Sequence, residues 1–334
     1  MSTSNHLTPP KACKSVPAMC VWFFHDHRLG HLKQLQGLAA RMEALAGIHS
    51  CWLDIQDYAL GLRHLFISPS YLNTLPQPAM IIGAGHKTHL SVLLAARRYR
   101  AFSALIMKPS LPLSWFDAII CPEHDKARPR DNILNTFGPL NRITPSEQPL
   151  SLESRTNNLI LIGGPSRHFR FDIARLLSQI QQICQENPQT QWLLSNSPRT
   201  PVEIMSQLKE LAFPNLMIKD FRDPDLASLE ALLLSSDRVW LTPDSMAMIF
   251  EALTAGARVG VFEDSATPGK AGSRINQQIQ AMICKQDLIS FTNRESIKPE
   301  KKELNRILWE TDRAAHWLLQ RYASHQKQAS ESHA

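Results

Sequence analysis

Two stretches of the sequence decide the fold: IIGAGHKT at residues 81–88 and LILIGGPSR at residues 159–167. In each, a short apolar run leads into a loop with two glycines, and a helical spacing of apolar residues follows. Short apolar runs bounded by glycine are typical of buried strands in a parallel sheet, and glycine lets the chain turn sharply toward the next helix. Each stretch therefore predicts one strand–loop–helix unit of an α/β fold.

The same alternation continues outward from both stretches. It predicts strands at 19–24, 51–53, 79–82, 104–107, 118–120, 132–137, 159–162, 192–194 and 239–241, with later helices near 172–185, 201–212 and 245–255. The polar segment 144–157 contains two prolines and predicts a linker. We therefore expect an α/β protein with two Rossmann-like domains that face each other across a cleft. They span residues 18–148 and 149–322, with disordered tails at 1–17 and 323–334.

Composition narrows the classes of partner. None of the apolar runs approaches the ~20 residues that a membrane-spanning helix needs. The six cysteines form no CxxC pair, as is typical of a reducing compartment. The net charge is +6, but Lys and Arg are spread along the chain, which argues against nucleic acid. We expect a cytoplasmic protein whose charge suits a phosphate-bearing ligand or peripheral contact with the inner membrane.

Glycine and hydroxyl groups at the strand ends of the second half suggest a diphosphate site. Backbone amides of Gly163 and Gly164 can approach a ligand closely, and Arg167 offers charged donors. Alternatively, the two glycines form a plain turn and Arg167 is solvated. The helix start at Ser245 also suits an anion, although Ser245 can equally be an N-cap. Glu251 can accept hydrogen bonds from ribose hydroxyls. The predicted ligand contacts of this half are Gly163, Gly164, Ser166, Arg167, Ser195, Asp244, Ser245, Met246 and Glu251.

Candidate general bases follow the first predicted strand. Asp26 and His31 lie in the loop and at the helix start, where an imidazole or a tuned carboxylate can accept a proton. The alternative is that His31 caps the helix and Asp26 pairs with Arg28. Further predicted ligand contacts lie in the later loops of this half: Gly83, Gly85, His86, Lys87, Thr88 and His124.

Three cofactor classes fit poorly. The NAD-binding fingerprint GxGxxG begins at Gly83 and Gly85, but its third glycine position holds Thr88. In addition, Lys108 ends the next strand where an acidic residue is needed. For a P-loop, His86 stands before Lys87 in place of glycine. For a metal, His25, His27 and His31 have no matching carboxylate or thiolate cluster in the sequence. We expect no metal and no cofactor.

The motifs resemble the mitochondrial fission "elongated mitochondria" family, whose bacterial members are often described as nucleoside-diphosphate-sugar epimerase-like. The matching segments are Gly30-His31 with Gln34 and Gly37, IIGAGHKT (81–88), FDAIICPEHD (116–125), NILNTFGPLNRIT (132–144), LIGGPSRHFRFD (161–172), LLSNSPRTP (193–201) and LTPDSMAMIFEALTAG (241–256). The sequence departs from the family at two positions. At His25 an Asp-Gly type turn is expected, and at His86 Arg is more usual.

The resemblance implies a GT-B-like pair of domains, the scaffold of sugar-nucleotide glycosyltransferases and of UDP-N-acetylglucosamine 2-epimerase. It predicts a glycosyltransferase acting on a cell-envelope precursor, with a nucleotide-sugar ligand and an acceptor that is lipid-linked or at the membrane surface. Two alternatives stay open: an epimerase on the same scaffold, and a non-catalytic adaptor, since plant members act in mitochondrial division. Fold alone does not decide among them.

Overall fold

The computed structural model describes residues 19–61, 72, 74–125, 127–145, 157–165, 172–210, 213–263, 270–296 and 308–331. Within these ranges the chain forms two six-stranded sheets, and every strand pairing in both is parallel. The predicted N-terminal tail and most of the predicted linker lie outside the described residues.

The first sheet has the strand order β2-β1-β3-β4-β5-β6. Its strands are β1 (Cys20–His25), β2 (His49–Asp54), β3 (Met80–Ala84), β4 (Phe102–Ile106), β5 (Ala118–Pro122) and β6 (Ile133–Thr136). Helix α1 (Leu29–Ala46) follows β1, and helix α2 (His89–Tyr99) follows β3. The six strands predicted for this half are confirmed.

The second sheet has the order β12-β11-β10-β7-β8-β9. Its strands are β7 (Asn157–Leu161), β8 (Trp192–Ser195), β9 (Leu216–Lys219), β10 (Ser236–Leu241), β11 (Arg258–Val261) and β12 (Ile289–Ser290). Its helices are α3 (Ile173–Glu186), α4 (Val202–Glu210), α5 (Leu229–Leu234), α6 (Met246–Thr254) and α7 (Lys270–Cys284). Because all strands are parallel, the predicted site residues at strand ends share one edge in each sheet.

Strand β1 shows why the apolar runs are continuous rather than alternating. Val21 and Phe23 are buried in the core on one face of the first sheet, whereas Trp22 and Phe24 are buried in the core on the other. A parallel sheet covered by helices on both faces has no solvent side, so a polar residue has no favourable position in such a strand. This two-sided burial holds the strand ends, and the loops that follow them, in place.

The last helix, α8 (Glu310–Glu331), returns to the first domain. Ala314, Ala315 and Leu318 are buried in the same core as Val21 and Phe23. This differs from the predicted second domain of 149–322, because the apolar face of α8 completes the first core. It also differs from the predicted tail at 323–334, since the chain is helical as far as Glu331.

Asn141 joins the two domains. Its side-chain amide donates to Thr254 Oγ1 on α6 at 2.9 Å, and its carbonyl accepts from Thr311 Oγ1 on α8 at 2.8 Å. A Cβ on Gly37 of α1 would lie 2.1 Å from that carbonyl oxygen, so only glycine fits there. Helices α1, α6 and α8 therefore meet around one buried amide.

None of the helices in the described ranges is both long enough and apolar enough to cross a membrane.

Candidate functional site

Asp26 and His31 form a hydrogen-bonded pair at the carboxyl end of β1. Asp26 Oδ1 lies 2.8 Å from His31 Nδ1, and the Asp26 side chain is only 2% exposed. Arg28 lies 4.0 Å from the other Asp26 oxygen, at the limit of an ion pair. Because the carboxylate engages Nδ1, it fixes the ring orientation and leaves Nε2 as the nitrogen for proton exchange with a ligand.

The loop after β3 packs directly on this pair. Gly85 has a φ of +88°, and a Cβ there would lie 2.4 Å from His31 Nδ1 and 2.7 Å from Asp26 Oδ2. Thr88 is buried and donates from Oγ1 to the Gly85 carbonyl at 2.8 Å, which holds the loop in this conformation. Gly83 is equally crowded, since a Cβ would lie 2.7 Å from Thr88 Oγ1. These three residues therefore shape the loop, while the other two predicted contacts are exposed: His86 and Lys87.

His89 is a buried imidazole that the sequence analysis did not single out. It begins α2 and is 3% exposed. Burial, together with the charges of His86 and His31, lowers the pKa of His89 to about 4. The ring is therefore neutral at physiological pH, and it places an uncharged side chain next to the loop. Its place directly after the motif GHKT was the available signal in the sequence.

The three histidines at 25, 27 and 31 do not form one group. His31 is taken by Asp26, whereas His27 Nε2 contacts Asp54 Oδ2 at the end of β2. His25 lies beside His27, with ring centroids 5.2 Å apart, and burial lowers the pKa of His25. The carboxylate that the sequence analysis did not find is thus Asp54, which parallel pairing of β1 and β2 places opposite His25.

Asp244 is the centre of the second-domain loops. Its side chain is fully buried, and Arg199 Nη2 pairs with its Oδ2 at 2.7 Å. Thr242 Oγ1 donates to its Oδ1 at 2.6 Å, and the Gly164 amide lies 3.3 Å from its Oδ2. The Gly163 amide donates to Thr242 Oγ1 at 2.8 Å. Both glycine amides predicted to meet a diphosphate therefore have acceptors inside the protein.

The two glycines are needed for close packing instead. A Cβ on Gly163 would lie 2.2 Å from the Asp244 carboxylate, and one on Gly164 would lie 2.0 Å from the Arg199 carbonyl oxygen. Arg199, from the motif NSPRTP after β8, is a site residue that the sequence analysis did not list. Ser166 and Arg167 lie outside the described residues.

Helix α6 carries the remaining predicted contacts of the second domain. Ser245 is its N-cap and accepts from the Met248 amide at 3.4 Å, which is the alternative role considered for it. Met246 is buried in the second-domain core. Ser195 is buried at the end of β8.

Glu251 makes a contact between the domains. Its Oε1 lies 3.1 Å from Lys33 Nζ on α1, and its side chain is 7% exposed. Its other oxygen, Oε2, is shielded from solvent and has no hydrogen-bond partner within the described ranges. A buried carboxylate oxygen without a donor is costly. Because Oε2 is shielded from solvent in this structure, a contact of Glu251 with a ligand hydroxyl stays a prediction.

His124 lies in the turn after β5. Its Nε2 is 3.8 Å from Asp125 Oδ1. The neighbouring Glu123 lines a cavity of about 580 Å³, together with Phe137 and the start of α8. A ligand contact at His124 stays a prediction.

Comparisons with known proteins agree with this architecture. The chain is similar to the uncharacterized protein RP120 of Rickettsia prowazekii, with 26% identity over 298 residues that cover 73% of this chain and 83% of that protein. Among solved structures, UDP-GlcNAc 2-epimerase from Methanocaldococcus jannaschii has a TM-score of 0.55 at 11% identity, covering 90% of this chain and 99% of that one. MurG from Acinetobacter baumannii has a TM-score of 0.50 at 13% identity, covering 88% and 95%.

At such low identity these structures show the fold, a two-domain Rossmann-like arrangement of GT-B type, and nothing finer. The family assignment has a separate basis. The family model described as mitochondrial fission ELM1 matches residues 29–322. This range includes every strand of both sheets except β1, and it extends into α8. The chain therefore belongs to the mitochondrial fission ELM1 family.

Proposed function

We propose that this chain is a sugar-nucleotide-dependent enzyme, a glycosyltransferase that acts on a cell-envelope precursor. The observation that carries the proposal is the Asp26–His31 pair. A buried carboxylate orients an imidazole at the carboxyl edge of a parallel sheet, and a glycine held at positive φ packs against both groups. This is the arrangement that a general base needs, because orientation and tautomer are set before the substrate arrives.

In the proposed reaction, His31 Nε2 accepts the proton of an acceptor hydroxyl. The hydroxyl oxygen forms a bond to the anomeric carbon of the sugar as the bond from that carbon to the diphosphate breaks. The bonding electrons leave on the diphosphate oxygen. Asp26 stabilises the imidazolium through the 2.8 Å contact at Nδ1. The role of Asp26 is to orient the imidazole through this contact.

The nucleotide is assigned to the second domain. Glu251 Oε2, which has no donor among the described residues, accepts from the ribose hydroxyls. The diphosphate lies at the start of α6, where the helix dipole favours negative charge. Arg199 adds a positive charge there, since its side chain is 45% exposed while it pairs with Asp244. The occupied amides of Gly163 and Gly164 support a diphosphate position at α6 rather than at the glycines.

The acceptor is assigned to the first domain, at the face of Asp26–His31 and the exposed side chains His86 and Lys87. A net charge of +6 supports an acceptor at an anionic surface, and we place the reaction at the cytoplasmic side of the inner membrane. The proposed reaction needs two substrates, the nucleotide sugar and this acceptor.

The first experiment measures thermal unfolding of the full chain with UDP-, GDP- and CMP-sugars, each compared with its bare nucleoside. A ligand at 100 times its Kd stabilises the folded state by about 2.7 kcal/mol, so a raised midpoint with one nucleotide class is the expected result. Indifference to all three classes contradicts the proposal and favours the non-catalytic adaptor.

The second experiment separates the two enzyme classes. Proton NMR of the sugar follows the active nucleotide sugar with and without lipid-linked acceptors. Transfer of a sugar with unchanged C2 configuration supports the glycosyltransferase. Inversion at C2 without an acceptor supports the epimerase, a class represented among the solved structures by the Neisseria meningitidis UDP-GlcNAc 2-epimerase, with a TM-score of 0.51 at 14% identity.

A further inference from the structure

A second group of chemistry-bearing side chains lies at the carboxyl ends of β1 and β2. One ligand atom from each of His25, His27 and Asp54 lies within 4.8 Å of the other two. We propose that these three residues form a binding site for a divalent transition-metal ion of the Zn²⁺ class. This goes beyond the proposed function, which needs no metal.

The donor set selects the class of ion. Two imidazole nitrogens and one carboxylate oxygen suit Zn²⁺ and its first-row neighbours, whereas Mg²⁺ and Ca²⁺ prefer oxygen donors alone. Sites with three protein ligands of this kind keep a fourth position for water or substrate. The ion therefore retains an open coordination position at the edge of the sheet that carries Asp26 and His31.

The backbone brings the three ligands together. Parallel pairing of β1 and β2 puts His25 directly opposite Asp54. His27 lies two residues past His25, with a left-handed φ of 60°, and its Nε2 contacts Asp54 Oδ2. A left-handed conformation is unfavourable for a residue with a Cβ, so the contact compensates for a local backbone cost.

The hydrogen bonds around the group also fit a metal site. Asp54 Oδ1 accepts from the Gln56 amide at 2.8 Å, which orients the carboxylate and directs Oδ2 toward the histidines. His25 Nδ1 is shielded from solvent and has no hydrogen-bond partner in the described part of the chain. The His27 side chain is 51% exposed, so an ion can reach the group from solvent.

A competing cluster defines the control. Cys20, His49 and Cys51 lie at the opposite end of the same two strands and also have ligand atoms within 4.8 Å of one another. Cys20 is buried in the core on one face of the first sheet, and burial together with Cys51 raises the pKa of its thiol to about 12. This opposes the thiolate form that metal binding requires. The double variant His49→Gln/Cys51→Ser disables this cluster through its two more accessible members.

The experiment is equilibrium dialysis of the EDTA-treated full chain against Zn²⁺, in the His49→Gln/Cys51→Ser background. We expect one Zn²⁺ per chain in this background, and a loss of affinity on the order of 10²-fold on adding either His27→Asn or Asp54→Asn. Asparagine tolerates a left-handed φ, so His27→Asn preserves the backbone. Circular dichroism checks folding, and a Zn²⁺-dependent rise of the unfolding midpoint in the background variant provides a second readout.

Co²⁺ absorption identifies the donors. We expect weak visible bands from nitrogen and oxygen ligands, without a strong thiolate charge-transfer band, in both the natural chain and the background variant. Three results overturn the proposal: absence of stoichiometric Zn²⁺ in the background variant, unchanged affinity in His27→Asn and Asp54→Asn, or a thiolate band as the sole cobalt signal of the natural chain.

Discussion

The glycine loops of the two domains use glycine for opposite purposes. In the first domain, Gly85 makes room for Asp26 and His31, a titratable pair with one imidazole nitrogen left for a ligand. In the second, Gly163 makes room for Asp244, a carboxylate enclosed by protein donors. A glycine after a buried strand thus shows that something packs closely there. The glycine alone does not show whether the packed group is enclosed by protein donors, as Asp244 is, or has an atom left for a ligand, as His31 has.

The largest expected effect is on turnover, and it tests the Asp26–His31 pair. His31→Ala should lower turnover by a factor on the order of 10²–10⁴ while leaving nucleotide affinity nearly unchanged, because it removes a positioned base. Steady-state kinetics with the active sugar nucleotide measures this, and Asp26→Asn is the partner variant. His316→Ala, at an exposed position on α8, is the control. A greater loss in Asp26→Asn than in His31→Ala would exchange their roles, and normal turnover in both would remove the pair from catalysis.

The enclosed carboxylate should matter for stability instead. Asp244→Ala leaves the Arg199 charge and the Thr242 hydroxyl without their shared acceptor, and we expect a loss of about 3 kcal/mol in the free energy of unfolding. Urea denaturation measures it. Glu230→Ala breaks an ion pair with Arg142 in which both side chains are exposed, and should cost about 0–1 kcal/mol. Similar losses in the two variants would show that burial does not distinguish these carboxylates.

The stability of the first domain should depend on pH through His89. Its folded-state pKa of about 4 lies below the ordinary value of 6.5 because the ring is buried. Protonation therefore favours the unfolded chain. Above pH 6.5 the ring is neutral in both the folded and the unfolded chain, so His89 does not lower the free energy of unfolding. As the pH falls from 6.5 toward 4, the free energy of unfolding should fall by roughly 2–3 kcal/mol.

The measurement is urea denaturation of the natural chain and of His89→Gln at pH 7 and pH 4.5. The natural chain should lose more stability than the variant over this interval. His316→Gln is the matched control, since it removes an exposed imidazole. An equal pH dependence in the natural chain and in His89→Gln would contradict the assignment.

The smallest expected effect on stability concerns two glycines of the first domain with positive φ. Gly85→Ala forces a Cβ to within 2.4 Å of His31, whereas Gly47→Ala, at a φ of +59°, meets no atom within 4 Å. Gly47→Ala incurs the cost of a left-handed alanine, about 1–2 kcal/mol. Gly85, at φ +88° and ψ 148°, lies in a region that is almost exclusive to glycine, so Gly85→Ala should cost about 1–3 kcal/mol and also disturb the base. Unfolding and turnover measured together separate the two costs. Turnover lost equally in both variants would indicate a general effect of stability.

The sequence predicted the longer strands that are buried on both faces. Strands such as β1 and β3 are continuous apolar runs and were found within one or two residues. Strand β11, a buried inner strand of four residues with a glycine at 260, was not predicted. Strand β9 was not found, because it is a partly exposed edge strand with Met217 60% exposed. Strand β12 has two residues, too few for a pattern. No helix was predicted at α8, whose residues up to 322 lie in the predicted second domain although Ala314, Ala315 and Leu318 are buried in the first core. Apolar spacing does not show which sheet a helix covers.

The site was predictable to the same extent. Asp26 and His31 lie five residues apart, and local spacing was enough to suggest that they act together. Arg199 and Asp244 are separated by 45 residues, and only the strand order β10-β7-β8 brings their loops together. His25 and Asp54 meet through the register of β1 and β2 for the same reason. Contacts that depend on strand order have no short-range signal in a single sequence.

Helix α8 has a consequence for biosynthesis. On the ribosome the first sheet emerges well before the helix whose Ala314, Ala315 and Leu318 cover part of its core. Until then that apolar surface is open to chaperones or to non-native contacts, as is general for exposed cores during folding. The core of the first domain can therefore be completed only after the whole second sheet has been translated.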